Sequence, residues 1–405
     1  MKVMAHRTRP APVRPLPARV LRSACLLLRW GAASLLALVP PGPAQAQLAQ
    51  YVINDDRNGE EERVDPRLVR LDGGDLAVLW VDNTRGQRDI LVRRFSSELQ
   101  PMGEPAVVND DVGYEGQYDL EASAPGGGRF AAVWLDERLP LLSVYAQIFD
   151  AADGSPIGSN LELTAGKADG LREAPAAATD ADGNSMIVWV EATFSKSRIM
   201  GQLVGPGGER LGPAFFAAPE TELTQRGPAI AALPDGRWLL AWEEETGGDF
   251  QVYHRILEAS GTPEEPRRID HSENVIDPGN GPRPALLVRP EAGDALVIWT
   301  DNVQGTSDLW GRWLDLAGNP IGDAEMVRAT SDPSRDAITR TSVAADGSFA
   351  VTWFGGAVGR ELPYIRYFSA DRTPLTGDLL MTDQQQGVVA RAGNAVPLLD
   401  GTWAV

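Results

Sequence analysis

Six short apolar runs in this chain end in tryptophan, and two residues beyond five of those tryptophans stands a carboxylate: Asp82, Asp136, Glu191, Glu244 and Asp301. The sixth place is taken by Gly355. Five carboxylates gathered round one channel would bind a cation or a sugar, or supply the general acid and base of glycoside cleavage. That last chemistry needs two carboxyls about 5 to 10 Å apart, one of them shielded from water. A feature copied into nearly every unit, however, is more often a device that caps its own loop or pairs with an arginine of a neighbouring unit. The departures from the copy are the better places to look for chemistry. Residues 270–280 lengthen one connection and bring in Glu273 and Asp277, while residues 355–363 replace the expected acid with a glycine-rich stretch carrying Arg360 and Glu361. Binding residues are grafted onto such loops, although length drift in a surface loop is also thermodynamically cheap. The candidate ligand-binding set is therefore Asp82, Asp136, Glu191, Glu244, Asp301, Glu273, Asp277, Arg360 and Glu361, with no catalytic residue assigned.

Other chemistries have little to draw on. Cys25 is the only cysteine, and beyond residue 46 the only histidines are His254 and His271, which occupy different parts of their unit. Thiolate metal sites, cysteine nucleophiles, histidine-ligated metals and Ser-His-Asp relays are disfavoured on those grounds. The stretch Asp180-Ala181-Asp182-Gly183-Asn184 resembles the start of a calcium loop but lacks its third acidic ligand and distant glutamate, and reads as a plain hairpin turn. No metal and no cofactor is expected.

The elements that must position these residues repeat. LAVLWVD at 76–82 returns as FAAVWLD, SMIVWVE, WLLAWEE, ALVIWTD and FAVTWFG, with Trp80, Trp134, Trp189, Trp242, Trp299 and Trp353 spaced 54, 55, 53, 57 and 54 residues apart. A near-constant period of this size is the mark of a repeat architecture. Each period reads as four strands. A first strand, such as RLVRL at 67–71, passes through an Asp-Gly turn, as at Asp182-Gly183, Asp235-Gly236 and Asp346-Gly347, into the tryptophan strand. Fifteen residues after each Trp come Phe95, Phe149, Val204, Leu257, Leu314 and Phe368; two residues before these stand Arg93, Gln147, Gln202, Arg255, Arg312 and Arg366, on the same face of a third strand. A Gly/Pro turn, seen at 154–158, 318–322 and 373–377, leads into the fourth.

A second strand apolar on both faces belongs to a sheet sandwiched between neighbours. Four antiparallel strands in about 54 residues therefore predict an all-β fold, a β-propeller of four-stranded blades. Residues 48–56 repeat the ending of a fourth strand, and residues 388–405 begin another unit whose Trp would fall at 407. The expectation is seven blades, the last incomplete, with the chain a fragment of a longer protein.

Residues 1–46 stand apart. Seven basic residues and no acid, an apolar core from Trp30 to Val39 and Ala44-Gln45-Ala46 before Gln47 are the parts of a secretory signal peptide, so the propeller is expected over 47–405. Without that lead, 30 basic residues face 56 acidic ones, a net charge near −26. Such a surface disfavours nucleic acid and anionic membranes. The expectation is a secreted or cell-surface monomer, periplasmic location being the variant, with no membrane insertion.

The Asp-Gly turn, apolar run, Trp and acid, followed by an Arg-x-Phe strand (Arg93-Arg94-Phe95) and a Gly-x-Pro-x-Gly turn, resemble the repeats of secreted bacterial β-propeller proteins. The resemblance covers nearly all of 47–405; it identifies a scaffold and carries no catalytic residues across. It departs from sialidase-type repeats, whose Asp-box is absent, and from tryptophan-aspartate repeats. The function expected is an exported, non-catalytic propeller that binds a protein or carbohydrate ligand, alone or as a module of a longer surface protein. The alternative is a carboxylate-dependent polysaccharide hydrolase or lyase using Glu244, Asp301 or Glu273.

Overall fold

In the computed structural model the tryptophan run is the second strand of every blade, and it is buried from end to end: all seven residues of Leu76–Asp82 are shielded. Residues 63–404 are described apart from 84–85, 112, 114, 140, 165–169, 194, 260–262, 271–282, 302–307, 329–336, 356–361 and 382–393, together with the backbone of 24–29, 32–38 and 49–52. The chain forms six four-stranded antiparallel blades. Blade 1 comprises Arg63–Arg70, Leu76–Asp82, Asp89–Phe95 and Pro101–Val107. Blade 2 comprises Gln117–Ala122, Arg129–Asp136, Ser143–Asp150 and Pro156–Glu162. Blades 3 to 6 begin with the strands Leu171–Thr179, Gln225–Ala232, Ala285–Arg289 and Ala337–Val343, and each continues through its tryptophan strand in the same order.

The expected seventh blade is corrected. In its place stands a five-stranded sheet, in the order Val396–Pro397, Trp403–Ala404, Ala24–Arg29, Ala32–Leu38 and Ala49–Val52. One of its pairings, Ala24 with Ala404, is parallel. The physical reason is that Val396–Pro397 and Trp403–Ala404 are only two residues long and take their further pairing from Ala24–Arg29 and Ala32–Leu38, in a mixed rather than antiparallel order.

The hydrophobic core is a ring of interfaces, each shared by two adjacent blades. Trp134 and Phe149 of blade 2 pack with Val69 and Leu79 of blade 1, and Trp299 of blade 5 with Leu239 and Ile256 of blade 4. The segment 394–404 is wedged in the same way. Val396 and Leu398 pack on Trp80, while Trp403 packs against Tyr367 of blade 6. Asn394 fastens this wedge to blade 1: its side chain accepts the Leu68 N–H at 2.8 Å and donates to the Leu68 carbonyl at 2.7 Å.

The long polar residue of the third strand has the same task in four blades, while Arg255 donates to the Glu264 carbonyl and Arg366 to the Asp378 carboxylate. Arg93 donates to the Gly103 carbonyl, Gln147 to Ile157, Gln202 to Gly212 and Arg312 to Gly322, each ten residues ahead at the turn into the fourth strand. In blades 1, 2 and 5 the ladder between third and fourth strands shifts register at this residue, so the side chain takes up a carbonyl that the broken ladder leaves over.

Candidate functional site

The first strands line the central channel, and a bulge shapes them. Their pairing with the second strand shifts between Val64 and Arg67, Tyr118 and Glu121, Glu173 and Ala176, Arg226 and Ala229, and Ile338 and Arg340. In four of these bulges one residue takes left-handed backbone: Asp65 (φ 54°), Asp119 (φ 52°), Ala174 (φ 54°) and Gly227 (φ 58°). Aspartate and glycine tolerate that conformation, whereas alanine is strained in it. Two residues later comes the position paired one place ahead of the tryptophan. It is Arg67, Glu121, Ala176, Ala229, Ala285 and Arg340 in blades 1 to 6. Three units carry alanine there and three carry a charge.

Those charges meet. Arg67 grips Glu121 with both ends of its fork, Nε and Nη2 each at 3.0 Å from a carboxylate oxygen. Arg340 donates to the same carboxylate from blade 6. Arg283, two residues before Ala285, reaches Glu121 at 3.4 Å, the Asp119 carboxylate at 3.1 Å and the Pro175 carbonyl at 2.9 Å. One carboxylate of blade 2 thus serves three guanidiniums from blades 1, 5 and 6. Although burial alone would raise it, the guanidiniums of Arg340, Arg67 and Arg283 hold the Glu121 carboxyl down at about 2. Arg340 is itself held down, to about 10, first by burial and then by the like charge of Arg67.

A cavity of about 660 Å³ adjoins this charged layer. In each blade its lining starts at the level of Arg67 and Glu121 and runs along the first strand toward the hairpin turn, past small residues such as Ala229, Ala231 and Ser342. Its size is that of small-molecule and saccharide sites. The layer spans one end, so a ligand in the cavity faces guanidinium N–H groups.

The carboxylates that follow the tryptophans lie elsewhere. Asp82, Asp136 and Glu244 accept the indole N–H of their own Trp80, Trp134 and Trp242, at 3.0, 3.0 and 3.4 Å. Asp136 is further held by Arg138 at 2.8 Å, and Glu244 by Gln225 at 2.7 Å. Glu191 and Asp301 occupy the same strand position and are also buried. None of the five lines the cavity. Asp82, Asp136 and Glu244 are tied instead to the tryptophan of their own blade. Glu273, Asp277, Arg360 and Glu361 lie outside the described residues. His254 is buried against the Gly318 carbonyl at 2.9 Å, where burial lowers its proton affinity, and Asp180 caps the Asp182-Gly183 turn through backbone N–H groups. No group of three or more metal-ligating side chains occurs among the described residues.

One more carboxyl breaks the repeat. The residue after the tryptophan is Val81, Leu135 and Val190 in blades 1 to 3 but Glu243 in blade 4. It is fully buried, 2.6 Å from Arg226, and burial pushes it up to about 7. It lies within its blade and does not line the channel.

The charged channel layer was open to sequence reasoning only through an aligned-position argument. Arg67, Glu121 and Arg340 stand where other units carry alanine, a break in the repeat hidden by the dominant tryptophan signal on the adjacent strand.

No protein-family model and no curated protein matches the chain. Solved structures of the same architecture do. An ulvan lyase, a polysaccharide lyase bound to [GlcA(1-4)Rha3S], superposes with a TM-score of 0.51 at 12% identity, over 89% of this chain and 96% of the lyase. The α-L-arabinanase of Penicillium chrysogenum, complexed with arabinobiose, gives 0.51 at 13% identity over 87% of this chain and 99% of the enzyme. A puromycin-hydrolysing peptidase of Mycobacterium tuberculosis gives 0.51 at 13% identity, over 94% of this chain and 58% of the peptidase. Three different chemistries on one architecture show that the likeness is one of fold: the chain is a β-propeller.

Proposed function

We propose that this protein is an exported, non-catalytic propeller that binds a carbohydrate in its central channel. The observation that carries the reading is the cavity of about 660 Å³ that ends on the Arg67, Glu121, Arg283 and Arg340 layer. A small-residue lining leaves room, and convergent guanidinium donors give orientation, the two properties of a ligand pocket. Binding is favoured over carboxylate-dependent cleavage by the state of the acids. Glu121, the carboxyl at the cavity end, stays ionised at about 2 and is shared among three arginines, so it has no proton to give a leaving group. Export rests on the basic, acid-free start, short apolar core and Ala44-Gln45-Ala46, with residues 1–46 as the leader.

The test is a glycan and polysaccharide array read for both retention and released reducing or unsaturated ends. Retention without product, lost when Ala229→Trp and Ala231→Trp fill the cavity, is the expected result. Product release would replace this reading with the hydrolase or lyase. No retention of any glycan would remove the carbohydrate assignment.

A further inference from the structure

We infer that the cavity takes a neutral saccharide, whose adjacent hydroxyls are held by main-chain N–H and C=O groups on the free edges of the first strands. The inference rests on the carbohydrate-binding reading above and adds the ligand's charge class and the groups that recognise it. Each first strand ends its sheet, so one of its edges is paired and the other faces the channel. In an antiparallel pair alternate residues turn both main-chain groups away from the partner. The bonds from Ser123 N–H to the Ala131 carbonyl, Asp180 N–H to Asn184 and Leu233 N–H to Arg237 fix which residues these are. In blades 2, 3 and 4 they are Ala122, Ala177 and Ile230. All three line the cavity, and none has a protein hydrogen bond on that edge among the described residues.

The protein shows on itself what such an edge accepts. At the matching place in blade 1 the Asn394 amide takes the Leu68 N–H at 2.8 Å and returns a hydrogen bond to its carbonyl at 2.7 Å. In blade 5 the Thr341 hydroxyl donates to the Leu286 carbonyl at 2.5 Å. Two adjacent sugar hydroxyls reproduce the pair, one accepting from N–H and the other donating to C=O. Two residues before Ala177 and Ile230 stand Pro175 and Pro228, which have no N–H, and the Pro175 carbonyl is already taken by Arg283 at 2.9 Å. The edge is thus closed at the ion layer and open one step beyond it. This recognition needs no charge. Along the wall, Arg70 is bonded to the Pro397 carbonyl, and the hydroxyls of Ser123, Thr179, Thr341 and Ser342 are engaged within the protein. A chain of formal net charge −19 also repels an acidic glycan before it reaches the channel.

The experiment is calorimetric titration of the full chain with neutral gluco-, manno-, xylo- and arabino-oligosaccharides. Each is run beside its methylated form, in which the hydroxyls no longer donate, and beside a uronic-acid oligosaccharide of the same length. One neutral series is expected to bind, with methylation weakening it by about tenfold or more, the uronic acid binding less tightly, and affinity steady between about 0.05 and 0.5 M salt. Ala122→Pro and Ala177→Pro each delete one channel-facing N–H without touching the ladder to the second strand, and should weaken binding severalfold. Ala177→Ser keeps the N–H and should bind as wild type does. Thermal unfolding separates lost binding from lost folding, and the methylated sugars decide the matter on wild type if a proline variant fails to fold. Full affinity in folded proline variants, indifference to methylation, or preference for the uronic acid would overturn the inference while leaving carbohydrate binding in place. No binding of any saccharide, charged or neutral, would overturn both.

Discussion

Removing the Glu121 carboxylate would leave three guanidiniums facing one another across the channel. Breaking a buried ion pair by deleting one partner costs roughly 3–5 kcal/mol, and the quarter exposure of Arg283 and Arg340 lowers this to about 2–4 kcal/mol. The proton affinity gives an independent figure. A carboxyl held at about 2 against its usual 4.5 is worth ~3 kcal/mol, at about 1.4 kcal/mol for each tenfold change. For a chain of 405 residues, with an unfolding entropy of about 2.1 cal/mol/K per residue, Glu121→Gln should lower the Tm at pH 7 by ~2–5 °C. The pH dependence carries the sign. Because the folded carboxyl is depressed, its contribution is complete above the unfolded value near 4.5 and is lost as pH falls toward about 2. Differential scanning calorimetry of wild type and Glu121→Gln from pH 7 down to pH 2.5 should therefore show two Tm curves that converge below pH 4.5. A variant as stable as wild type at pH 7, or a gap that persists unchanged to pH 2.5, would refute the reasoning. Arg340→Ala provides the contrast, since it removes one of three crowded cations and should change Tm by less than half as much.

Glu243 should behave in the opposite sense: burial pushes it up to about 7, so its penalty grows as pH rises from 4.5 through 7. Glu243→Gln is expected to raise the unfolding free energy at pH 8 by on the order of 2 kcal/mol, with no gain at pH 4; destabilisation at pH 8 would count against this account. Asp136→Ala strips an acceptor from the Trp134 indole and a partner from Arg138, and urea unfolding should show a loss of about 3 kcal/mol. Gln147→Ala frees the Ile148 and Ile157 carbonyls, so hydrogen exchange should accelerate in Pro156–Glu162 ahead of the rest of blade 2, with a global cost of about 1–2 kcal/mol.

The sequence by itself determined the strand order within a blade. Strand 2 must be apolar on both faces, the turns need Asp-Gly or Gly-Pro, and Phe95 must fall opposite Leu76, because these follow from local period and turn chemistry. The acids after the tryptophans carry a role the sequence reading did not name: Asp82 and Asp136 accept from their own indole, because a residue two places along a strand points to the same side. Blade number was decided by tertiary structure. Whether residues 394–404 complete a blade or wedge between two depends on packing against Trp80 and Tyr367, hundreds of residues apart from each other. The channel layer was decided there too. Arg67, Glu121, Arg283 and Arg340 are 54 to 219 residues from one another where they touch Glu121 or it touches them, and closure of the ring alone sets them within hydrogen-bond reach. Local propensity fixes which way each side chain leaves its strand; the curvature of the ring fixes what it meets.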